Sequence, residues 1–99
     1  MKLYVIGIRD TVNGFKLAGV QGSIDSETPE LDKFFDNIAK SKEYGIVFLS
    51  SRTADKLRSQ VDSIKLNQPL PIIFELNDQG KSTHSDILQF VKESVGIKL

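Results

Sequence analysis

Residues 2–20 read KLYVIGIRDTVNGFKLAGV, and this stretch decides the fold. It begins with a continuous apolar run from Leu3 to Ile6, which Gly7 closes. Continuous runs, unlike alternating ones, are typical of strands that are covered on both faces of a parallel sheet. A polar turn and a short helix follow the run. A strand that passes directly into a helix is the repeating unit of an α/β fold.

The helix in this stretch has a predicted start and a predicted end. Asp10 or Thr11 is expected to cap it by accepting a backbone N–H. Gly19 stands where a left-handed residue ends a helix. Gly14 lies inside the helix and costs about 1 kcal/mol relative to alanine there, which favours a role in close packing against the sheet.

The rest of the chain repeats the strand–helix unit. Thr28 and Pro29 are predicted to be the cap and the first residue of the second helix. The remaining elements are a weak edge strand at 20–24, a helix at 28–41, a strand at 46–49, a helix capped within 50–53 and ending near 65, a strand at 70–76, and a terminal helix between 83 and 96. This alternation predicts a Rossmann-like three-layer α/β sandwich. Its four-stranded, mostly parallel sheet would be flanked by helices and followed by a C-terminal amphipathic helix.

The 99 residues are expected to form a single domain with two parts. Residues 1–76 make the α/β core, and residues 77–99 make a loop and the terminal helix. The polar loop at 77–83 is the predicted hinge, centred on Gly80. We expect the terminal part to be able to move relative to the core.

An apolar stripe runs along the terminal helix and has two interpretations. The simpler one is that the stripe packs on the sheet as an ordinary core face. The other is that the helix leaves the sheet at the loop and binds another protein as an amphipathic helix. The residues of this candidate partner interface are Ile87, Leu88, Phe90, Val91 and Val95.

Composition excludes several functional classes. Thirteen basic and thirteen acidic side chains give a formal net charge of zero, whereas nucleic-acid-binding domains usually carry a basic excess. The chain has no cysteine, which excludes disulfides, zinc–thiolate sites and thiol catalysis. Its apolar runs are far shorter than the ~20 residues of a membrane span, so direct membrane insertion is not expected.

The turns after the strands are the places to look for a ligand site, because open parallel sheets bind ligands there. The first turn, at 7–11, lacks the G-x-G-x-x-G spacing of a dinucleotide site. The segment Gly80-Lys81-Ser82 resembles the end of a phosphate-binding P-loop, but Glu75 stands where that motif needs its first glycine. A small nucleotide-binding enzyme is therefore a weak alternative.

The turn after the 46–49 strand raises a second alternative, a degenerate receiver-like signalling domain. A phospho-receiver of this architecture has an acceptor aspartate there, whereas this chain has Ser50-Ser51-Arg52 and so lacks the nucleophile. His84 is the only histidine and has no neighbouring metal ligand in the sequence. Glu75 could act as an acid or base but has no motif around it. No catalytic, cofactor-binding or metal-ligating residue is predicted.

Several segments together resemble the F subunit of the archaeal and bacterial A/V-type rotary ATPase. VIGIRDTVNGFKLAGV matches that family's opening pattern, with Lys16 where arginine is common, and similarity continues at 44–52, 70–75 and 95–97. The signature positions, assigned to packing, are Gly14, Phe15, Leu17, Ala18 and Gly19.

The resemblance implies a non-catalytic central-stalk subunit of a proton- or sodium-transporting rotary ATPase. Such a subunit binds the coiled-coil D subunit, and its terminal helix can reach toward the A3B3 headpiece, where the B subunit is the expected contact. It holds no cofactor or metal of its own. It would lie in the cytoplasm, peripheral to the cell membrane, as part of the complex.

Overall fold

The structure, a computed structural model, describes residues 1–79 and 89–93 of the chain. The strands are β1 (Lys2–Gly7), β2 (Gln21–Ile24), β3 (Tyr44–Leu49) and β4 (Ile72–Glu75). The helices are α1 (Arg9–Leu17), α2 (Leu31–Lys40), α3 (Ser51–Lys56) and α4 (Arg58–Asn67). Residues 89–93 are also helical, and a short 3-10 turn spans Asp25–Glu27.

All three strand pairings in the sheet are parallel, and the strand order is β2-β1-β3-β4. Val5 of β1 lies opposite Phe48 of β3, which in turn lies opposite Phe74 of β4. The predicted Rossmann-like parallel sheet is confirmed, and so is the edge position of β2. The chain moves from β1 outward to β2, then crosses back to β3 on the other side of β1.

Helices cover both faces of the sheet, as the continuous apolar strands predict. We call the face under α2, α3 and α4 the back face and the face under α1 and residues 89–93 the front face. The buried back-face cluster is Ile6, Phe35, Ala39, Val47, Leu49, Ala54, Leu57, Val61, Ile64 and Ile73. The buried front-face cluster is Val5, Val12, Phe15, Val20, Phe48, Leu76 and Val91. Successive residues of each central strand thus belong to opposite clusters, which is the two-residue period of a strand.

The predicted helix caps are wrong at two helices. In α1 the N-cap position is occupied by Ile8, without a side-chain cap, and Thr11 lies within the helix. In α2 the N-cap residue is Glu30, in a left-handed conformation at φ 51°, and Thr28 lies outside the helix. The Thr28 hydroxyl instead donates to the Ile24 carbonyl at 2.8 Å. A threonine just before a helix can either cap that helix or donate its hydroxyl to a nearby backbone carbonyl. Its position in the sequence is the same in both cases, so the sequence does not tell which bond forms.

The single helix predicted after β3 is two helices, α3 and α4, joined at Leu57. Leu57 has φ −108° and ψ 24°, outside the α-helical range, yet it is only 4% exposed. Ala54, Val61 and Ile64 are buried beside it in the back-face cluster. The three- and four-residue spacing of these apolar residues is therefore confirmed as a core face, although the helix breaks within it.

Gly7 allows β1 and β3 to end in close contact. A Cβ atom at Gly7 would lie 1.9 Å from Ser50 Oγ and 2.7 Å from Ser50 Cβ, far below contact distance. Ser50 is held there by its own backbone, whose N–H donates to the Ile6 carbonyl at 3.1 Å. Neither partner can move away without breaking the sheet, so only glycine fits at this position.

Substituting Gly7→Ala is expected to lower the free energy of unfolding by about 2–3 kcal/mol, because the added methyl group overpacks a fixed contact. Gly45→Ala is the matched control. It also adds a methyl group within a strand, but the three nearest atoms, at 2.5–3.2 Å, all belong to the side chain of the 86%-exposed Met1, which can move away as a whole residue. We expect the control to change stability by less than about 1 kcal/mol in urea unfolding. Equal losses of unfolding free energy in the two variants would contradict the argument that Ser50 cannot move away from Gly7.

Candidate functional site

The carboxyl ends of β1 and β3 are the candidate site, because the chain leaves these neighbouring strands in opposite directions. Open α/β sheets bind their ligands in the crevice at such a switch point. The turns after all four strands meet at this edge, and each contributes polar side chains. The question is therefore whether those side chains face a ligand or one another.

Ser50 closes the part of the edge between β1 and β3. Its Oγ accepts the Ile8 backbone N–H at 3.0 Å, and the residue is fully buried. The hydroxyl therefore bonds the start of α1, in place of a bound molecule. Because Ser50 follows the central strand, where a receiver domain has its phosphate acceptor, this arrangement argues against the receiver-like alternative.

Asp78 closes the part of the edge beyond β3 and is only 1% exposed. One carboxylate oxygen accepts the Thr11 hydroxyl at 2.7 Å, and the other accepts the Ser51 backbone N–H at 3.0 Å. A bound anion would use free N–H groups at the start of such a helix, but Asp78 already takes the one on Ser51. The last strand's loop is thereby tied to the starts of α1 and α3.

Asp25 closes the side of the edge beneath β2, with a fully buried side chain. Arg52 donates to both of its oxygens, at 2.5 and 3.2 Å, and the Thr53 hydroxyl donates at 2.7 Å. Lys56 adds a second positive charge 4.0 Å away. Burial alone would raise the pKa of Asp25, but the hydrogen bonds from Arg52 and Thr53 and the two nearby cations together hold it below its usual value.

These contacts pair the buried polar groups of the described edge with one another. Across residues 1–79 and 89–93, every buried side-chain nitrogen or oxygen atom has a hydrogen-bond partner. Arg9 pairs with Glu27 at the rim rather than facing inward. The arrangement can hold four strand ends and two helix starts together. The Gly80-Lys81-Ser82 segment lies outside the described residues.

Glu75, the sequence candidate for an acid or base, is tied up in ion pairs at the end of β4. Arg58 donates to both of its oxygens at 2.9 Å, and Lys65 donates at 2.5 Å. These bonds, those from Arg58 foremost, lower the pKa of Glu75 to about 2. A carboxylate with so low a pKa is a poor proton acceptor or donor near neutral pH.

The family-signature residues lie in and after α1, and they divide between core and surface. Phe15 is fully buried in the front-face cluster, and its ring centroid lies 4.8 Å from that of Phe48. Gly14 is buried beside it, whereas Leu17 is 71% exposed and Ala18 is also exposed. Gly19 has φ +90°, which confirms the predicted left-handed end of the helix.

Two of the five candidate partner-interface residues are described, and both contact the core. Val91 is 1% exposed within the front-face cluster, and Phe90 is partly buried against it. In this arrangement the described part of the terminal helix, residues 89–93, packs on the sheet. The remaining residues assigned to this region, Ile87, Leu88, Val95, His84 and the predicted hinge Gly80, lie outside the described residues.

Sequence reasoning missed the importance of Asp25 and Asp78, which looked like polar connector residues. Their position immediately after β2 and β4 was the only available signal. It also missed Ile72 and Phe74, which alternate with the back-face residue Ile73 and point away from it. They are 53% and 47% exposed, so the front side of this edge strand keeps an uncovered apolar surface.

Two other kinds of site have no candidate within the described ranges. No group of three or more histidine, aspartate or glutamate side chains there could hold a metal ion. No helix among residues 1–79 and 89–93 is long and apolar enough to cross a bilayer.

Comparison with known proteins agrees with the resemblance in the sequence. The sequence model of the family described as ATP synthase (F/14-kDa) subunit matches residues 3–95. The F subunit of the A-type ATP synthase of Pyrococcus abyssi is 30% identical, with 100% of this chain and 98% of the relative covered. That of Thermococcus kodakarensis is 29% identical with the same coverage, and that of Methanothermobacter thermautotrophicus is 27% identical over 96% of this chain and 92% of its own.

The ion pairs of Glu75 predict a specific pH dependence of stability. Its folded-state pKa of about 2 lies below the usual 4.5, so its contribution is fully present above pH 4.5 and is lost as the pH falls toward 2. Glu75→Gln should lower the free energy of unfolding by about 1 kcal/mol at pH 7, allowing for solvent screening. The free energy of unfolding of the variant should also fall less steeply between pH 4.5 and 2 than that of the unaltered protein.

The control is Glu43→Gln, which removes a carboxylate that forms only an exposed pair with Lys2. Urea unfolding at a series of pH values should leave this control close to the unaltered protein. A Glu75→Gln variant with the unaltered pH dependence would show that the ion pairs do not hold the pKa down.

Proposed function

This chain belongs to the ATP synthase (F/14-kDa) subunit family, and from that premise we propose that it is a non-catalytic central-stalk subunit of an A/V-type rotary ATPase. In that role it binds the coiled-coil D subunit, and its terminal helix reaches toward the A3B3 head, with the B subunit as the contact. Rotation of the stalk then couples ATP hydrolysis or synthesis in the head to proton or sodium transport. The chain would lie in the cytoplasm, peripheral to the membrane.

The observation that carries the proposal is the family match over residues 3–95, together with relatives that are named as F subunits of A-type ATP synthases and covered almost end to end. The closed carboxyl edge supports the non-catalytic part. Asp25, Ser50 and Asp78 use their hydrogen bonds on other elements of the same chain. A protein that acts through its surfaces can use its ligand edge in this way, whereas an enzyme of this architecture needs that edge open.

The uncovered front side of β4 supports an interface with the D subunit. Ile72 and Phe74 extend the front-face core outward, since Phe74 lies 5.7 Å from Phe48 between ring centroids. They sit two residues apart on one side of a strand, about 7 Å from each other along it. Contiguous exposed apolar residues commonly mark protein–protein contacts.

The chain is expected to co-elute with the D subunit of the same ATPase in size-exclusion chromatography at micromolar concentration. Phe74→Asp should weaken the pair by at least about tenfold, because a charge would replace an aromatic anchor. Leu66→Asp is the matched control, since Leu66 is 84% exposed on α4, on the back-face side. Separate elution of the two unaltered proteins would refute the proposed role. Equal weakening by the two variants would refute the β4 contact alone.

Contact with the head requires the terminal helix to offer its surface to another protein. Residues 89–93 expose Gln89, Lys92 and Glu93 while Val91 packs inward. The packed arrangement thus leaves a polar outer side available. Release of the helix would add the apolar side that now contacts the front face. Lys92 is exposed in the packed arrangement, so a protein of the head could approach it there.

Because the chain has no cysteine, a single introduced cysteine can be labelled at one place only. In the assembled ATPase, a photo-crosslinker attached to Lys92→Cys is expected to capture a protein of the head. We expect that protein to be the B subunit. The matched control is Ser59→Cys, at an exposed position of α4. Mass spectrometry of the products would identify the partner. Capture of the head by Ser59→Cys alone would contradict the assigned direction of the terminal helix.

A further inference from the structure

Strand β4 has a free edge as well as an uncovered front side. It lies at the end of the sheet, and no other strand among residues 1–79 and 89–93 pairs with its outer edge. Edge strands are usually protected against pairing with another chain by charged side chains, bulges or a covering element. On the front side of β4 both exposed residues, Ile72 and Phe74, are apolar. The edge is therefore open to a further strand of apolar character.

The pairing with β3 identifies the backbone groups that face the free edge. The Leu49 carbonyl of β3 accepts the Leu76 N–H at 2.8 Å. Along a strand, the N–H and C=O groups of successive residues point to opposite edges. Phe74 therefore directs these groups toward β3, as Leu76 does, whereas Ile73 and Glu75 direct theirs outward.

The outward groups fit a second copy of the same strand in antiparallel orientation. If Ile73 lies on the two-fold axis, the two copies of Ile73 exchange both of their N–H···O bonds. The Glu75 N–H of each copy then reaches the Pro71 carbonyl of the other. Pro71 has no N–H to donate in return, so the ladder ends there, with two bonds at the axis and one at each end.

The same register brings the exposed apolar side chains of the two copies together on one side. Ile72 of one copy lies opposite Phe74 of the other, as a pair without mutual hydrogen bonds, in which the Cα atoms are about 4.5 Å apart. Aromatic and β-branched side chains are favourable cross-strand partners. Glu75 adds little repulsion, because its carboxylate is already paired with Arg58 and Lys65.

We propose that the isolated chain forms a symmetric dimer in which two β4 strands pair in antiparallel orientation across Ile73. Because only a few residues of each copy take part, the contact falls below the roughly 1,200 Å² of a stable interface, and we expect a dissociation constant on the order of 0.1 mM. The dimer covers the side chains that the proposed D-subunit contact uses, so the two contacts exclude each other. The dimer needs only this chain, and its failure would therefore leave the proposed function untouched.

Sedimentation equilibrium at concentrations from about 10 µM to about 1 mM tests the dimer. The unaltered chain, of 11.0 kDa, should rise toward twice that mass over this range. Phe74→Asp and Ile72→Lys should each remain monomeric, because both copies would then bring the same charge into the apolar contact. Leu66→Asp, at an exposed position of α4, should dimerise like the unaltered chain.

A mixture of the two charged variants tests the register. In the mixed dimer, Ile72→Lys of one copy lies directly opposite Phe74→Asp of the other, while the second Ile72–Phe74 pair is unaltered. Opposite charges at such positions attract, so the equimolar mixture should dimerise at least about fivefold more tightly than either variant alone. Phe74→Asn is the neutral control, and its mixture with Ile72→Lys should give a smaller gain.

Three results would overturn the proposal. One is an unaltered chain that remains at 11.0 kDa over the whole concentration range. Another is a Leu66→Asp variant that loses the dimer as Phe74→Asp does. The third is a mixture of the charged variants that associates no more tightly than the separate variants. If one charged variant fails to fold, the other alone still decides whether the dimer uses β4.

Discussion

The contact between Gly7 and Ser50 is the constraint on which the rest of the carboxyl edge depends. It brings the ends of the two central strands together so closely that a methyl group does not fit between them. With the strands at this distance, Ser50 can reach the start of α1, and the N–H of Ser51 points toward the loop after β4. Asp78 can bridge two helices only because their starts are held side by side.

The edge where α/β proteins usually bind ligands is here a structural junction. Three polar side chains, Asp25, Ser50 and Asp78, replace the contacts that a bound molecule would make, and each comes from a different strand end. Such a junction is rigid because each buried polar atom is satisfied within the chain, and releasing one would leave another unpaired. A rigid domain is suited to transmitting force between partners, as the proposed central-stalk role would require.

The sequence predicted the sheet, its order of elements and its apolar faces because these follow from local periodicity. It failed where the partner of a residue lies far away in the chain. Thr11 has the local sequence of a cap, but its hydroxyl bonds Asp78, 67 residues away. The break at Leu57 was invisible because the apolar spacing continues through both helices. The family resemblance identified the chain, yet its signature residues Leu17 and Ala18 are exposed rather than packed.

The uncovered front side of β4 has a consequence for the amount of this protein in a cell. A free copy displays Ile72 and Phe74 to the solvent, next to a strand edge that no other strand among residues 1–79 and 89–93 pairs with. Chaperones and proteases recognise such surfaces on incomplete assemblies. In the proposed complex with the D subunit this surface would be buried, whereas a surplus copy would keep it exposed. Under that proposal, the same two side chains would mark the copies that have not been assembled.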